Sequence, residues 1–142
     1  MTPPSSVVAT NPSHLRSLIK EAIKKHGPRC SLNHIDISRV QSLDHMFSGN
    51  SHFEGSVARW NTKNVLSMRG TFARAHFNGD LTQWNVANVQ DMEGMFASSR
   101  FNKSLAKWNV RSVKKFNDMF SESRFSKDLS ACTLADNATT RS

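Results

Sequence analysis

The sequence predicts an α/β solenoid in which about four to five short strand–helix units stack behind an N-terminal helix. The first observation is a 24-residue repeat, since residues 77–100 read FNGDLTQWNVANVQDMEGMFASSR and residues 101–124 read FNKSLAKWNVRSVKKFNDMFSESR. The second is that each copy changes from alternating apolar spacing at its tryptophan to three- and four-residue spacing before its second phenylalanine. Because self-similarity at such a period is typical of stacked units, the repeat decides the fold class.

The N-terminal helix is predicted over residues 13–26. Ser13 can cap its N-terminus, and Gly27 followed by Pro28 ends it. Its apolar face, at helical spacing, consists of Leu15, Leu18, Ile19, Ala22 and Ile23. We expect this helix to cover the open end of the stack. The alternative is a basic amphipathic helix that binds membranes, although the segment lacks an aromatic anchor.

The chain divides into four parts. Residues 1–12 are rich in Pro, Ser and Thr and are expected to be a disordered leader. Residues 13–27 form the capping helix, residues 28–134 the repeats, and residues 135–142 a disordered tail.

Each repeat is predicted to contain one short strand and one short helix. The spacing Leu81-x-x-Trp84-x-Val86-x-x-Val89 matches a leucine-rich repeat with Trp and Val in place of Leu. Stacking the units would bury matching aromatic side chains in columns. The columns are Trp60, Trp84 and Trp108; Phe53, Phe77, Phe101 and Phe125; and Phe47, Phe72, Phe96 and Phe120.

The pattern F-N-x-x-L-x-x-W-N-V-x-x-V-x-x-M-x-x-M-F resembles the BspA-like leucine-rich-repeat family of bacterial surface proteins, over about residues 29–134. This resemblance implies a leucine-rich-repeat-like solenoid that serves as a binding module. The family usually carries Asp after the Trp. In this chain that column holds Asp36, Asn61, Asn85 and Asn109, which weakens any expectation of cation binding.

The composition favours an acidic partner. The net charge is +8 at neutral pH, which suits an acidic protein, nucleic acid or an anionic surface, and equally a merely solubilising charge. Cys30 and Cys132 lie near opposite ends of the repeats and are expected to be unbridged, as in a reducing compartment. The absence of a signal peptide or a long apolar run predicts a cytoplasmic protein without a membrane span, although export by a non-standard route is left open.

The predicted partner-binding face is the exposed side of the strands. Residues that flank the Trp positions should point outward, because side chains alternate along a strand. The predicted face consists of Arg59, Asn61, Lys63, Asn85, Lys107, Asn109 and Arg111. The asparagine column can form a side-chain amide ladder between copies, or it can instead make structural hydrogen bonds. The basic residues can instead be an ordinary solvated surface.

No catalytic pattern is present in the sequence. It contains no HExxH, GxSxG or Gly-rich phosphate loop. His52 and His76 fall in one column, but no Cys or carboxylate completes a tetrahedral set at recognisable spacing. We therefore expect no enzyme activity, no metal and no cofactor.

These observations favour a small soluble binder or inhibitor, bacterial or phage-encoded and monomeric, that binds an acidic protein surface. The first alternative is a protein that binds the nucleic-acid backbone through the same face. The second alternative is a structural or adhesion protein assembled from repeats.

Overall fold

The computed structural model describes residues 7–127 and 133–134. Its elements in chain order are β1 (Val7–Val8), α1 (Pro12–His26), β2 (Ile35–Asp36), a 3₁₀ helix (Ser48–Asn50), β3 (Asn109–Val110) and β4 (Thr133–Leu134). β1 pairs with β2 and β3 pairs with β4, both in parallel. The remainder of these ranges consists of turns, bends and isolated parallel bridges.

The predicted leucine-rich-repeat-like solenoid of strand–helix units is wrong. Within residues 7–127 and 133–134, α1 is the only α-helix and each strand has two residues. No strand forms at Trp84, where the pattern predicted one, and no helix forms between Val89 and Phe96.

Overlapping tight turns replace the predicted helices. We call residues 43–48, 68–75, 92–99 and 116–123 the turn segments. Each contains residues with positive φ, where a right-handed helix requires φ near −63°. These residues are His45, Gly70, Arg74, Gly94, Ser98, Asp118 and Glu122, with φ between 52° and 65°. In the last three segments they recur every fourth residue, which prevents a helix from continuing.

The backbone amides of a turn segment alternate between two kinds of partner. Within residues 92–99, the N–H of Met95 donates to the carbonyl of Met92 at 3.2 Å, which closes a turn. The N–H of Gly94 instead donates to the carbonyl of Asn117 in the next segment, at 2.9 Å. The same alternation recurs in residues 43–48 and 68–75. We call the bonds between segments the turn ladder.

Matching aromatic side chains of successive copies stack in the core. The ring centroids of Trp60 and Trp84 lie 6.2 Å apart with the rings nearly parallel, and the ring centroids of Phe72 and Phe96 lie 5.8 Å apart. The predicted burial of the tryptophan column is confirmed, because Trp60, Trp84 and Trp108 are 2–3% exposed. Each indole Nε1 donates to a carbonyl of the preceding copy, as Trp84 does to Val57 at 2.8 Å. The burial of polar indole groups is thereby matched by hydrogen bonds.

α1 packs on the first repeat with Leu15 and Ile19 fully buried. Its N-cap is Asn11, whose Oδ1 accepts the N–H of His14 at 2.8 Å, and not Ser13 as the sequence suggested. Pro12 occupies the first turn, where its missing N–H costs nothing. Of the predicted leader, the structure describes residues 7–12, which include β1.

The remaining sequence predictions concern the cysteines, the tail and the membrane. Cys30 is a free thiol whose pKa is raised by burial. Cys132 and the predicted tail at residues 135–142 lie outside the described residues. Among the helices of the described chain, none combines the length and apolar character that crossing a bilayer requires.

Truncating a central tryptophan tests the aromatic stack. Trp84→Ala is expected to lower the free energy of unfolding by about 3–5 kcal/mol, through lost burial and the cavity left behind. Urea denaturation would measure the change, with the exposed neighbour Gln83→Ala as control. A loss no larger than that of the control would contradict the burial of Trp84 in the aromatic stack.

A pair of glycine variants tests the positive φ of the turn segments. Gly94 and Gly49 both have open space around the position of a Cβ, but only Gly94 has positive φ, at 65°. Gly94→Ala is therefore expected to cost about 1–2 kcal/mol, whereas Gly49→Ala costs nothing or stabilises. Equal thermal denaturation midpoints for the two variants would show that the left-handed conformation is not required.

Candidate partner-binding face

The structure brings the predicted partner-binding residues to one exposed surface. We call Arg59, Asn61, Lys63, Asn85, Lys107, Asn109 and Arg111 the basic face; all seven are exposed. Hydrogen bonds between copies hold their backbones side by side. The Asn88 Nδ2 donates to the carbonyl of Lys63 at 2.8 Å, and the Thr62 hydroxyl donates to the carbonyl of Asn85 at 2.9 Å.

The buried tryptophans fix the backbone from which the basic side chains extend. Arg59 and Lys107 each directly precede a buried Trp. Those indoles are hydrogen-bonded to carbonyls of the preceding copy. Arg59 and Lys107 therefore extend into solvent from a backbone that is anchored on its buried side.

The asparagines of the basic face have a local structural role. The Oδ1 atoms of Asn61, Asn85 and Asn109 each accept the backbone N–H two residues later, at 3.0–3.1 Å. Asp36 makes the same bond to the N–H of Ser38 at 2.9 Å. These are Asx turns, in which a short polar side chain stabilises a bend of its own backbone. They do not form an amide ladder between copies, and the alternative of structural hydrogen bonding explains the column.

The same bond sets the ionisation of Asp36. The pKa of its carboxyl is lowered, mainly by the backbone N–H of Ser38, then by the Ser38 hydroxyl, with a smaller contribution from Arg39. The carboxylate is therefore charged at neutral pH. Asp36 is the single acidic member of a column that elsewhere holds asparagine, and it lies in the first copy, away from Lys107 and Arg111 in the fourth.

Within the described residues, the four cations of the basic face are not in ion pairs. In the described part of the chain, the salt bridges join Arg69 to Asp91 at 3.7 Å and to Glu93 at 3.5 Å, on the turn side. Arg59, Lys63, Lys107 and Arg111 have no acidic partner within 4.0 Å there.

One acidic residue lies close enough to affect the basic face. The pKa of the Asp80 carboxyl is lowered, mainly by the backbone N–H of Thr82 at 2.8 Å, then by the Thr82 hydroxyl. Lys103 and Lys107 lower it further by their charge. Asp80 is thus ionised at neutral pH, and it offsets part of the positive charge around Lys107.

Exposed basic residues also occur outside the set that the tryptophan spacing selected. The stretch 94–117 contains no acidic residue, and its basic side chains are all exposed. They are Arg100, Lys103, Lys107, Arg111, Lys114 and Lys115. Reasoning from strand alternation missed Lys103, Lys114 and Lys115, although the acid-free charge run was a visible signal in the sequence.

His52 and His76 meet as the sequence column suggested. Their ring centroids are 4.7 Å apart in an edge-to-face arrangement. In the described ranges, no group of three or more His, Cys, Asp or Glu side chains is placed to hold a metal ion. The pair is continued in sequence register by Arg100 and Arg124, both exposed.

These features define a protein of stacked turns with one basic, largely uncompensated surface. A family model described as "Mycoplasma protein of unknown function, DUF285" matches residues 15–132. The chain therefore belongs to the DUF285 family. Its assignment to the BspA-like leucine-rich-repeat family is wrong, as is the leucine-rich-repeat description that came with it. No curated protein and no solved structure matches the chain.

Two substitutions at one asparagine test its structural role. Asn85→Ala removes the acceptor for the N–H of Ala87 and is expected to cost about 1 kcal/mol of unfolding free energy. Asn85→Asp keeps an acceptor oxygen and should stay within about 0.5 kcal/mol of the parent protein. Chemical denaturation would measure both values. If the two variants lost equal stability, the Asx turn would not be the reason for the asparagine.

Proposed function

We propose that this protein is a non-enzymatic interaction module that binds an acidic protein surface through the basic face. The observation that carries the proposal is the set of four exposed, unpaired cations on an ordered backbone. Surface cations without internal partners are free to pair with carboxylates of another molecule. Complementary charge of this kind raises the association rate and fixes the orientation of docking.

The ordered base of the basic face supports recognition by a folded partner. The Asx turns and indole hydrogen bonds fix the spacing of the basic residues before any partner arrives. Binding then restricts only the side chains, which lowers the entropic cost of association. A preformed arrangement of this kind favours a defined acidic surface over diffuse attraction to any anion.

Nucleic acid is the second candidate partner, supported by the net charge of +8. The distribution of aromatic side chains argues against it. The described tryptophans are buried, and so are the described phenylalanines except the half-buried Phe125. Proteins that bind single strands usually offer aromatic rings on which bases stack. Contacts with nucleic acid would therefore be limited to phosphates.

Charge reversal on the basic face tests the proposal. The double variant Arg59→Glu/Lys107→Glu is expected to reduce capture of the acidic protein partner from nuclease-treated extract of the source cells by about tenfold or more. Thermal stability should be nearly unchanged, because both side chains are exposed. Quantitative mass spectrometry of the captured proteins would measure the loss.

A matched control separates a local effect from net charge. Arg74→Glu/Lys24→Glu changes the charge by the same amount at exposed positions outside the basic face, and it should retain capture. Equal loss in the two double variants would contradict a specific surface. Loss of all capture on nuclease treatment, with steeply salt-dependent binding of a single-stranded oligonucleotide, would identify nucleic acid as the partner instead.

A further inference from the structure

The turn ladder has a fixed direction. At each of its three junctions, N–H groups of the earlier turn segment donate to carbonyls of the later one. His45 donates to Arg69, Gly70 to Glu93, and Gly94 to Asn117, at 2.7–3.0 Å. Between turn segments, the ladder N–H groups therefore face the copy that follows and the ladder carbonyls face the copy that precedes. Bonds in the reverse direction lie at the end of a segment or involve a side chain: the N–H of Arg100 donates to the carbonyl of Ala75, and the N–H of Arg69 donates to the carboxylate of Asp44.

The last turn segment has ladder donors to which no described residue offers an acceptor. By the pattern of the ladder, the donors of residues 116–123 are the N–H groups of Phe116, Asp118, Phe120 and Glu122. No residue of the ranges 7–127 and 133–134 accepts from them. We call these four N–H groups the donor edge. Backbone donors without partners are rare in folded proteins, and a row of them is a template for pairing.

The side chains at this edge also end the core. Phe116, Met119 and Phe120 are 4–6% exposed, whereas their counterparts in residues 92–99 are fully buried. The ring of Phe120 stacks on Phe96 at 5.6 Å, on the side of the preceding copy. These side chains are nevertheless almost fully buried, so an occupant of the donor edge would gain backbone hydrogen bonds and little apolar burial.

The opposite end of the ladder is covered by the chain itself. The first turn segment presents its carbonyls outward, and the Arg16 guanidinium of α1 donates to the carbonyl of Asp44 at 2.7 Å. Leu15 and Ile19 of α1 are buried in the core cluster. The acceptor end is thus occupied by a charged donor and a helix, which the donor edge lacks among the described residues.

We propose that the donor edge binds a turn segment of a second polypeptide that carries the same 24-residue unit. The row of backbone carbonyls of that turn segment would accept hydrogen bonds from the donor edge. Every junction within the chain already has this chemistry and register. Two donor edges cannot pair with each other, which excludes a symmetric dimer through this surface. Helix α1 and Arg16 obstruct the acceptor end of an intact second copy. The partner is therefore a chain whose first turn segment is not covered in this way.

The kind of contact distinguishes this occupant from the partner of the basic face. Asp118 and Glu122 are exposed on the donor edge, so this edge does not share the positive charge of the basic face. The proposed contact depends on the backbone carbonyls of the occupant and not on its side-chain charge. Adding a chain segment to an exposed backbone edge is an established mode of recognition, with hydrogen bonds giving the affinity. The proposed contact is independent of the proposed function.

Amide hydrogen exchange of the whole protein, followed by NMR, tests the proposal. The probe is a synthetic peptide of residues 77–100, whose carbonyls at Asp91 and Glu93 belong to an acceptor row. Exchange at Phe116, Asp118, Phe120 and Glu122 is expected to slow about tenfold or more when the peptide is added at millimolar concentration. The amides of Met92, Gly94 and Phe96, already paired in the ladder, should not change.

The control peptide carries Gly94→Pro and Ser98→Pro, since proline cannot adopt the positive φ of these positions. Equal slowing by both peptides would overturn the proposal, as would no slowing at all. Donor-edge amides that exchange as slowly as Gly94 before any addition would also overturn it, because the edge would already be occupied. A mass that doubles with protein concentration in light scattering, with the same four amides protected, would overturn the assignment to a partner with an uncovered first turn segment, because an intact second copy would then be the occupant.

The experiment separates this proposal from the function proposed for the basic face. In the variant Arg59→Glu/Lys107→Glu, the peptide should slow amide exchange at the donor edge as much as it does in the parent protein. Loss of protection in that variant would show that the peptide binds the basic face, and it would overturn the assignment to the donor edge.

Discussion

The fold depends on the alternation of backbone hydrogen bonds in the turn segments. One amide closes a turn inside the segment, and the next reaches the following copy. This alternation requires residues of positive φ at intervals, and Gly70 and Gly94 supply it at little conformational cost. The aromatic columns and the indole hydrogen bonds then fill the space that the stacked turns enclose. Without the alternation, successive copies would have no common backbone register on which to stack.

The sequence was sufficient to predict which residues are buried but not the backbone that buries them. Residues 24 positions apart do lie in common columns, as with Trp60 and Trp84. The prediction of a helix between Val89 and Phe96 was wrong because overlapping turns also place every third or fourth side chain on the buried side of the backbone. Gly94 and Gly70, at equal positions of two copies, were signals against a helix. Arg74 and Ser98 gave no such signal, since neither residue type favours positive φ.

The exposure of the basic-face residues was predictable because exposure alternates around each tryptophan, whether or not a regular strand forms. The role of the asparagines was not, because an Asx turn and a ladder between copies need the same residue in the same column. Lys114 and Lys115 were missed since they lie beyond the tryptophan spacing. Asp80 is recognisable as part of the electrostatic surroundings only in three dimensions, where Lys103 and Lys107 come near it.

The bonds between copies run in both directions along the stack. The turn ladder joins each copy to its successor, while indole Nε1 groups join it to its predecessor. Removing residues 77–100 as a block would therefore bring together two ends that already have matching donors, acceptors and rings. The connection after Phe47 has one residue more than its counterparts, and the 3₁₀ helix Ser48–Asn50 lies there. Such a chain can gain or lose length in whole units during evolution, whereas a shift of one or two residues inside a turn segment would disrupt every junction it touches.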